Sequence, residues 1–249
     1  MANLNIKWFD ELNSTNTYLR DLLLRDLTVK DRVVIAAKNQ TSGKGRKQRS
    51  WISGQGKNLT FSVLIKSTVP LEELSSITLV AGVAVAQYLN TVGIDAQLKW
   101  PNDVMVGGKK ICGILTELAL VDDSELNYII LGIGLNVNME PREVVAIDKP
   151  ATSMGIVSGE KFNLDEVLEG LLCELEKYID IWQDSGFSSI KGEWESNCIH
   201  IGKEITVTNV KGEEFTAIFD SLGANGELVV RQEDGSIEIL VEADVKGNY

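Results

Sequence analysis

Five basic side chains, Lys38, Lys44, Arg46, Lys47 and Arg49, fall within fourteen residues that contain no acid. They lie on and just before the stretch Gln40-Thr41-Ser42-Gly43-Lys44-Gly45-Arg46-Lys47-Gln48-Arg49-Ser50-Trp51, in a chain of formal net charge −12. A cationic island in an anionic molecule suits a small anion. Arg46 and Arg49 can fork onto carboxylate or phosphate oxygens, while Lys44 and Lys47 add compact charges. Gly43 and Gly45 are expected to take positive φ and bring backbone N–H groups close to the ligand.

Three further clusters could take part. Lys99-Trp100-Pro101-Asn102-Asp103 sets an amide and a carboxylate on a turn at a strand end. Asp103 could hold Mg²⁺ or a ribose, and Asn102 a phosphate or base, although the same residues also suit a plain β-turn. Lys109-Lys110 follow Gly107-Gly108 and run into apolar sequence at Ile111, so one can point into a pocket or merely keep a strand edge soluble. Ser14-Thr15-Asn16 can cap a helix or hydrogen-bond a neutral polar ring. Gly132-Ile133-Gly134 lacks the third small residue of a dinucleotide fingerprint, and Gly43–Arg49 lacks the Gly-Lys-Ser/Thr ending of a P-loop. No nucleophile stands out. Donors for a polar headgroup, cations for a carboxylate and phosphates, and a metal-binding carboxylate together suit adenylation. In that chemistry a carboxylate attacks the α-phosphate of ATP and the protein positions and neutralises.

The elements that position these groups follow from patterning. Residues Ile6–Phe9 read as a strand leading to Ser14, which can start a helix with Leu19, Leu22, Leu23 and Leu27 on one face. Strands are expected at 32–38, ending in the basic loop, and at 59–66 with Leu59, Phe61, Val63 and Ile65 inward. A helix from Pro70 to Leu89 follows, then strands at 96–100, 104–106, 109–120 and 128–137, with a turn at Asp122-Asp123-Ser124. Residues 138–160 read as irregular. Asn163 with Glu166 resembles a capping box ahead of a helix that aligns Val167, Leu168, Leu171, Leu172, Leu175, Tyr178, Ile179 and Trp182. From Ile201, short strands with hairpin signals at Asn225-Gly226 and Asp234-Gly235 make a small SH3-like β-barrel. The expected class is α+β: a mixed β-sheet with helices packed on one face over residues 1–200, plus the barrel over 201–249.

Composition narrows the rest. At 249 residues and 44% apolar the chain can bury a substantial core. The pI near 4.7 argues against nucleic-acid binding, and the barrel carries ten acids against four bases. Cys112, Cys173 and Cys198 form no CxxC pair, which fits a reducing compartment, and His200 is the single histidine. Residues 1–13 lack the apolar core of a leader, and the longest apolar run, Ile77 to Leu89, reads as too short to span a bilayer. A cytoplasmic protein without membrane association is expected.

The paired signatures Gly43–Trp51 and Lys99–Val104 resemble the biotin protein ligase family. So do Ser14-Thr15-Asn16, Gln40, Lys110–Leu115 and Gly132–Asn138, so the likeness spans essentially the whole chain. The resemblance implies a class II synthetase-like catalytic domain and a two-step reaction. Biotin and MgATP give biotinyl-5′-AMP and pyrophosphate, and a lysine of a biotin carboxyl-carrier domain of a biotin-dependent carboxylase then takes the biotin and releases AMP. Matched positions would place Ser14, Thr15, Asn16, Gln40 and Gly113 at biotin, with Lys44-Gly45-Arg46 along its carboxylate. Lys110 would bridge carboxylate and α-phosphate. Gly43, Arg46, Arg49, Trp51, Asn102, Asp103, Lys110 and Asn136 would meet ATP or the adenylate, with Asp103 taking Mg²⁺ through the phosphates. Lys110, Arg46 and Asp103 would be the catalytic set, and a homodimer is expected.

Two departures stand out: Lys44 where family members often carry Arg, and Gln48 where they carry Gly. Only thirteen residues precede Ser14, so a single-function ligase without a DNA-binding domain is expected. The alternatives are a lipoate ligase or octanoyl transferase on the same fold, and a non-catalytic biotin or nucleotide sensor.

Overall fold

The structure, a computed structural model, describes residues 5–54, 56–119, 126–145, 147 and 149–247. The turn expected at residues 122–124 and the end of the strand expected at Leu120 lie outside them. Seven strands form the main sheet: β1 (Ile6–Leu12), β2 (Val34–Gln40), β3 (Leu59–Ser67), β4 (Gln97–Lys99), β5 (Asp103–Val106), β6 (Lys109–Ala119) and β7 (Asn127–Leu135). Their order is β1-β2-β3-β7-β6-β5-β4. Among the described strands of this sheet only β1 and β2 run parallel, because helix α1 (Thr15–Arg25) provides the crossover; the other neighbours are antiparallel.

Period two decides which helix each strand face meets. Val34, Ala36, Phe61, Val63 and Ile65 join the core that also holds α2 (Ile77–Thr91), while Ile35, Leu64 and Ile130 point the other way onto Leu19 and Leu23 of α1. The mixed sheet is as expected, but helices on one face alone need amendment. The larger helices cover one side and α1 covers the other, since β3 is buried along nearly its whole length. A 3₁₀ turn, Leu71–Ser76, leads into α2. Together they are long and apolar enough to cross a membrane, contrary to the shorter run read from the sequence; here the segment packs inside the core against α5.

Residues 138–160 are less irregular than expected, holding α3 (Pro141–Val144) and α4 (Met154–Ser158). In α5 (Leu164–Ser185) the eight residues of the apolar stripe are all buried, and Asn163 caps by accepting from Asp165 N at 2.9 Å. A further helix, α6 (Ser188–Ser196), follows. The C-terminal barrel has five antiparallel strands: β8 (Glu204–Asn209), β9 (Glu214–Leu222), β10 (Leu228–Arg231), β11 (Ile237–Leu240) and β12 (Ala243–Gly247), the last unread from the sequence. Its interior is continuous with the main core, with Trp194 of α6 stacked on Phe219 of β9 at 6.5 Å. Trp100 Nε1 donates to Gly226 O at 3.0 Å, tying a barrel turn to the Lys99–Asp103 stretch.

His200 sits buried at this junction. Burial, with the charges of Lys99 and Lys203, pushes its imidazole down to about 4. Below pH 6.5 the unfolded chain takes a proton that the folded one refuses. The His200 contribution is therefore complete above pH 6.5 and is lost as pH falls toward 4. Allowing for partial screening it is worth roughly 2 kcal/mol. Urea titrations at pH 7 and pH 4.5 are expected to show a smaller acid loss for His200→Gln than for the parent; equal losses would contradict this.

Candidate active site

One cavity of about 740 Å³ opens between the main sheet and the barrel. It is large enough for two joined small molecules. Its closed end is polar yet uncharged. Ser14 occupies the N-cap position of α1, but its hydroxyl makes no cap hydrogen bond, which leaves it open to a ligand. Gln40, at the end of β2, accepts from Thr15 N at 2.8 Å and Thr15 Oγ1 at 3.2 Å. The Ser62 hydroxyl lies 2.6 Å from both Thr15 Oγ1 and Asn16 Oδ1. Asn16 Nδ2 donates to Glu117 Oε2 at 2.9 Å and to Leu115 O at 3.3 Å. Such buried groups must be paired, and here each fixes the next. Ser62 was not read as a site residue. Its signal was present, for Thr60 and Ser62 are the off-face partners of Phe61 and Val63 and interrupt an otherwise apolar strand.

Glycines form the floor. Gly134 on β7 pairs opposite Gly113 on β6, and Gly132 lies two residues before Gly134 on the same strand face. A methyl group at Gly134 would overlap the Trp51 indole, and one at Gly132 would overlap the Asn16 amide. At Gly113 it would lie 2.9 Å from Lys110 Nζ and 3.1 Å from the indole. The glycines set aside as a failed nucleotide fingerprint therefore serve as bare sheet on which Trp51 and Asn16 rest. Trp51 Nε1 is buried without a partner among the described residues, leaving a donor for a ligand.

The open end is cationic. Lys44, Arg46, Arg49, Lys99, Lys110, Lys149 and Lys246 line the cavity against the acids Asp103, Glu214 and Asp244. Lys110 Nζ meets Asp103 Oδ1 at 2.5 Å and lies 5.7 Å from the Trp51 ring centroid. A bulge between Val104 and Met105 skips Ile111, so Ile111 and Cys112 both stay in the core while Lys110 lines the cavity. Burial pushes the neighbouring Cys112 thiol far up, which makes it inert.

The basic loop is an irregular hairpin, with Gly45 N donating to Arg49 O at 2.7 Å and Trp51 N to Gly43 O at 2.9 Å. This corrects the role expected of its glycines. Gly43 and Gly45 do not take positive φ; Lys47 (φ 53) and Gln48 (φ 61) do. The left-handed turn falls at the position where Gln48 replaces a more usual glycine, so this chain carries local strain there. Gly43 does not line the large cavity; a side chain on it would strike the Trp51 carbonyl, so its role is close approach. Barrel acids hold the loop: Asp244 pairs with Arg49 at 3.0 Å and Lys47 at 3.2 Å, and Glu242 with Arg46 at 3.6 Å. Burial opposes ionisation of Asp244, but the hydrogen bond from Lys47 and the charges of Arg49 and Lys47 keep its carboxyl below the usual range.

Two expected nucleotide residues spend their amides inside the protein. Asn102, on the cavity wall, donates from Nδ2 to Ile114 O at 2.9 Å. Asn136 Nδ2 donates to Thr152 O at 3.0 Å while its Oδ1 accepts from Asn58, so Asn136 holds the segment beside Lys110 in place.

The cavity thus joins a neutral polar cluster at Ser14, Thr15 and Gln40 to a cationic mouth, with Lys110 on its wall. The biotin/lipoate A/B protein ligase family model matches residues 8–136, and the chain belongs to that family. It is 32% identical over 242 residues to the bifunctional ligase/repressor BirA of Bacillus subtilis, spanning 96% of this chain and 73% of that protein. It is 30% identical to the biotin–[acetyl-CoA-carboxylase] ligase of Mycobacterium tuberculosis over 88% of this chain and 81% of the other. Among solved structures, the Aquifex aeolicus biotin protein ligase in complex with biotin and ATP superposes with a TM-score of 0.83 at 29% identity, covering 98% and 99% of the two chains.

Replacing Ser62 by alanine removes the donor shared by Thr15 and Asn16. Biotin binding is expected to weaken about tenfold, with affinity for ATP unchanged, as read by calorimetry. An unaltered biotin isotherm would show that Thr15 and Asn16 hold their places without it.

Proposed function

We propose that the protein is an ATP-dependent biotin protein ligase. A biotin carboxylate oxygen attacks the α-phosphorus of ATP, the bond to the β-phosphate breaks, and biotinyl-5′-AMP and pyrophosphate form. The ε-amine of a lysine on a biotin carboxyl-carrier domain of a biotin-dependent carboxylase then attacks the acyl carbon and expels AMP. One observation carries the reading: the cavity ends in the uncharged Ser14–Thr15–Gln40 cluster, suited to a ureido ring, and Lys110 lies between that end and the cationic mouth. A lipoyl or octanoyl chain would set apolar atoms against the Ser14 hydroxyl, which makes no cap hydrogen bond, at a cost of about 1–3 kcal/mol, which favours biotin.

The residues act mainly by placing charge. Ser14, Thr15, Asn16, Gln40 and Gly113 shape the ring end; Lys44, Gly45 and Arg46 flank the carboxylate; Arg49, Trp51, Asn102 and Asn136 border the nucleotide. Lys110 exchanges Asp103 for the substrate oxygens and offsets the charge that gathers between carboxylate and α-phosphate. Asp103 is a single carboxylate facing the phosphates, the donor set Mg²⁺ accepts when substrate supplies its remaining oxygens, and bound Mg²⁺ would neutralise phosphate charge there. The overall charge of −12, with cations gathered inside the cavity, supports no nucleic-acid partner. Three free cysteines support a reducing cytoplasm, and the open β1 edge of the main sheet supports a homodimer.

Pyrophosphate exchange into ATP should depend on biotin and be unaffected by lipoate. Exchange driven by lipoate would replace this reading with the lipoate one, and no exchange with either acid would leave a non-catalytic sensor.

A further inference from the structure

Three cations of the cavity, Lys99, Lys149 and Lys246, have no part in the reaction as described above, and Lys246 is paired with Glu214 at 2.9 Å. Lys149 stands at the cavity lip on a segment bound to the catalytic strand through its backbone. Lys110 N donates to Pro150 O at 3.0 Å, and Thr152 N donates to Lys110 O at 2.9 Å. Asn136 grips the same segment from the other side, through Thr152 O and through Met154 N. The backbone of residues 150–152 therefore runs beside Lys110, and the largely exposed side chain of Lys149 lines the same cavity.

Its neighbours are unusual for a lysine. Partial burial lowers its pKa, and the positive charges of Arg49, Lys110 and Lys99 lower it further against the single opposing charge of Asp103. That carboxylate is already engaged by Lys110 at 2.5 Å, and Arg49 is engaged by Asp244 at 3.0 Å. Among the described residues Lys149 forms no ion pair, and Asp103 is the carboxylate whose charge bears on it. A protein with an excess of acid has thus gathered cations that repel one another. Such crowding persists when a polyanion is the intended counter-charge. A biotin carboxylate and one α-phosphate are covered by Lys110, Arg46 and Lys44. The further charge matches the two outer phosphates, whose negative charge rises as the Pα–O bond breaks.

We infer that Lys149 is a phosphate-binding residue that contacts the β- and γ-phosphates and holds the departing pyrophosphate, a role that rests on the ligase reading above. The Pro150 ring that follows limits backbone freedom at this point.

The test uses the full chain with inorganic pyrophosphate as the probe. By calorimetry the parent is expected to bind pyrophosphate, Lys149→Met about tenfold more weakly, and Lys149→Arg within about threefold of the parent. In biotin-dependent exchange, the KM for pyrophosphate should rise for Lys149→Met by a similar factor. Transfer from chemically made biotinyl-AMP, which lacks the outer phosphates, separates binding from structure: the loss should be confined to the phosphate-bearing half-reaction. Equal pyrophosphate affinity in parent and Lys149→Met, no pyrophosphate binding by the parent, or a parallel fall in transfer would each overturn the inference. If Lys149-dependent pyrophosphate binding holds but the parent shows no biotin-dependent exchange, the phosphate site stands and the ligase reading falls.

Discussion

Lys110→Ala is expected to abolish biotinyl-adenylate formation, by at least two to three orders of magnitude, while leaving the fold in place. Lys110 lines the cavity that holds both the neutral Ser14–Thr15–Gln40 cluster and the basic loop, on a strand whose bulge turns it out of the core. Removing it takes away the charge that balances carboxylate and α-phosphate as they approach, so the transition state suffers more than either ground state. Its side chain is partly exposed and its one carboxylate partner, Asp103, is itself accessible, so freeing Asp103 leaves no buried charge. Single-turnover formation of biotinyl-AMP, followed by quench and chromatography, reads the loss, and thermal melting reads the fold. A variant that makes adenylate at near the parental rate would remove Lys110 from the mechanism.

Gly134→Ala is expected to do nearly as much damage without touching a charge. The added methyl would occupy space held by the Trp51 indole, so the ring must lift from the sheet. Gly113 lies opposite in register, and Lys110 packs on the same indole at 5.7 Å, so the shift reaches the catalytic ammonium. Overpacking of this kind costs about 1–3 kcal/mol, and a misplaced Trp51 should weaken adenylate binding by tenfold or more. Fluorescence of the variant on addition of biotin and ATP, compared with the parent, reports both effects. Ligand affinity within twofold of the parent would show that the indole has room elsewhere and that the bare glycine floor is not needed.

The parts of the fold legible in the sequence were those whose signal is local. The stripe of eight residues in α5 appears with a 3.6-residue period and is buried in full. The neutral cluster at Ser14, the basic loop and the Lys99–Asp103 stretch announce themselves by residue type, and the structure gathers them round one cavity. What escaped depends on two distant segments meeting. A strand buried on both faces gives no sign in sequence of which helix covers each side, so nothing in the pattern separates α1 from the others. Gly132 and Gly134 have meaning only once Trp51 and Asn16 lie above them. The strain at Lys47 and Gln48 arises because the loop must close on itself between Gly43 and Trp51, not from any preference of those residues. The hold of Asp244 on the loop joins positions 195 residues apart. The Lys149 charge becomes visible only when its segment is laid beside Lys110.

Adenylation in this cavity requires two ligands to share it in a fixed order. A crystal structure of the full chain with biotin and an unreactive ATP analogue tests that directly. It should show the ureido ring against Ser14, Thr15 and Gln40, the carboxylate facing the α-phosphate beside Lys110, and the outer phosphates toward Arg49 and Lys149. Finding biotin elsewhere, or the triphosphate seated outside the loop with Lys110 still bound to Asp103, would contradict it.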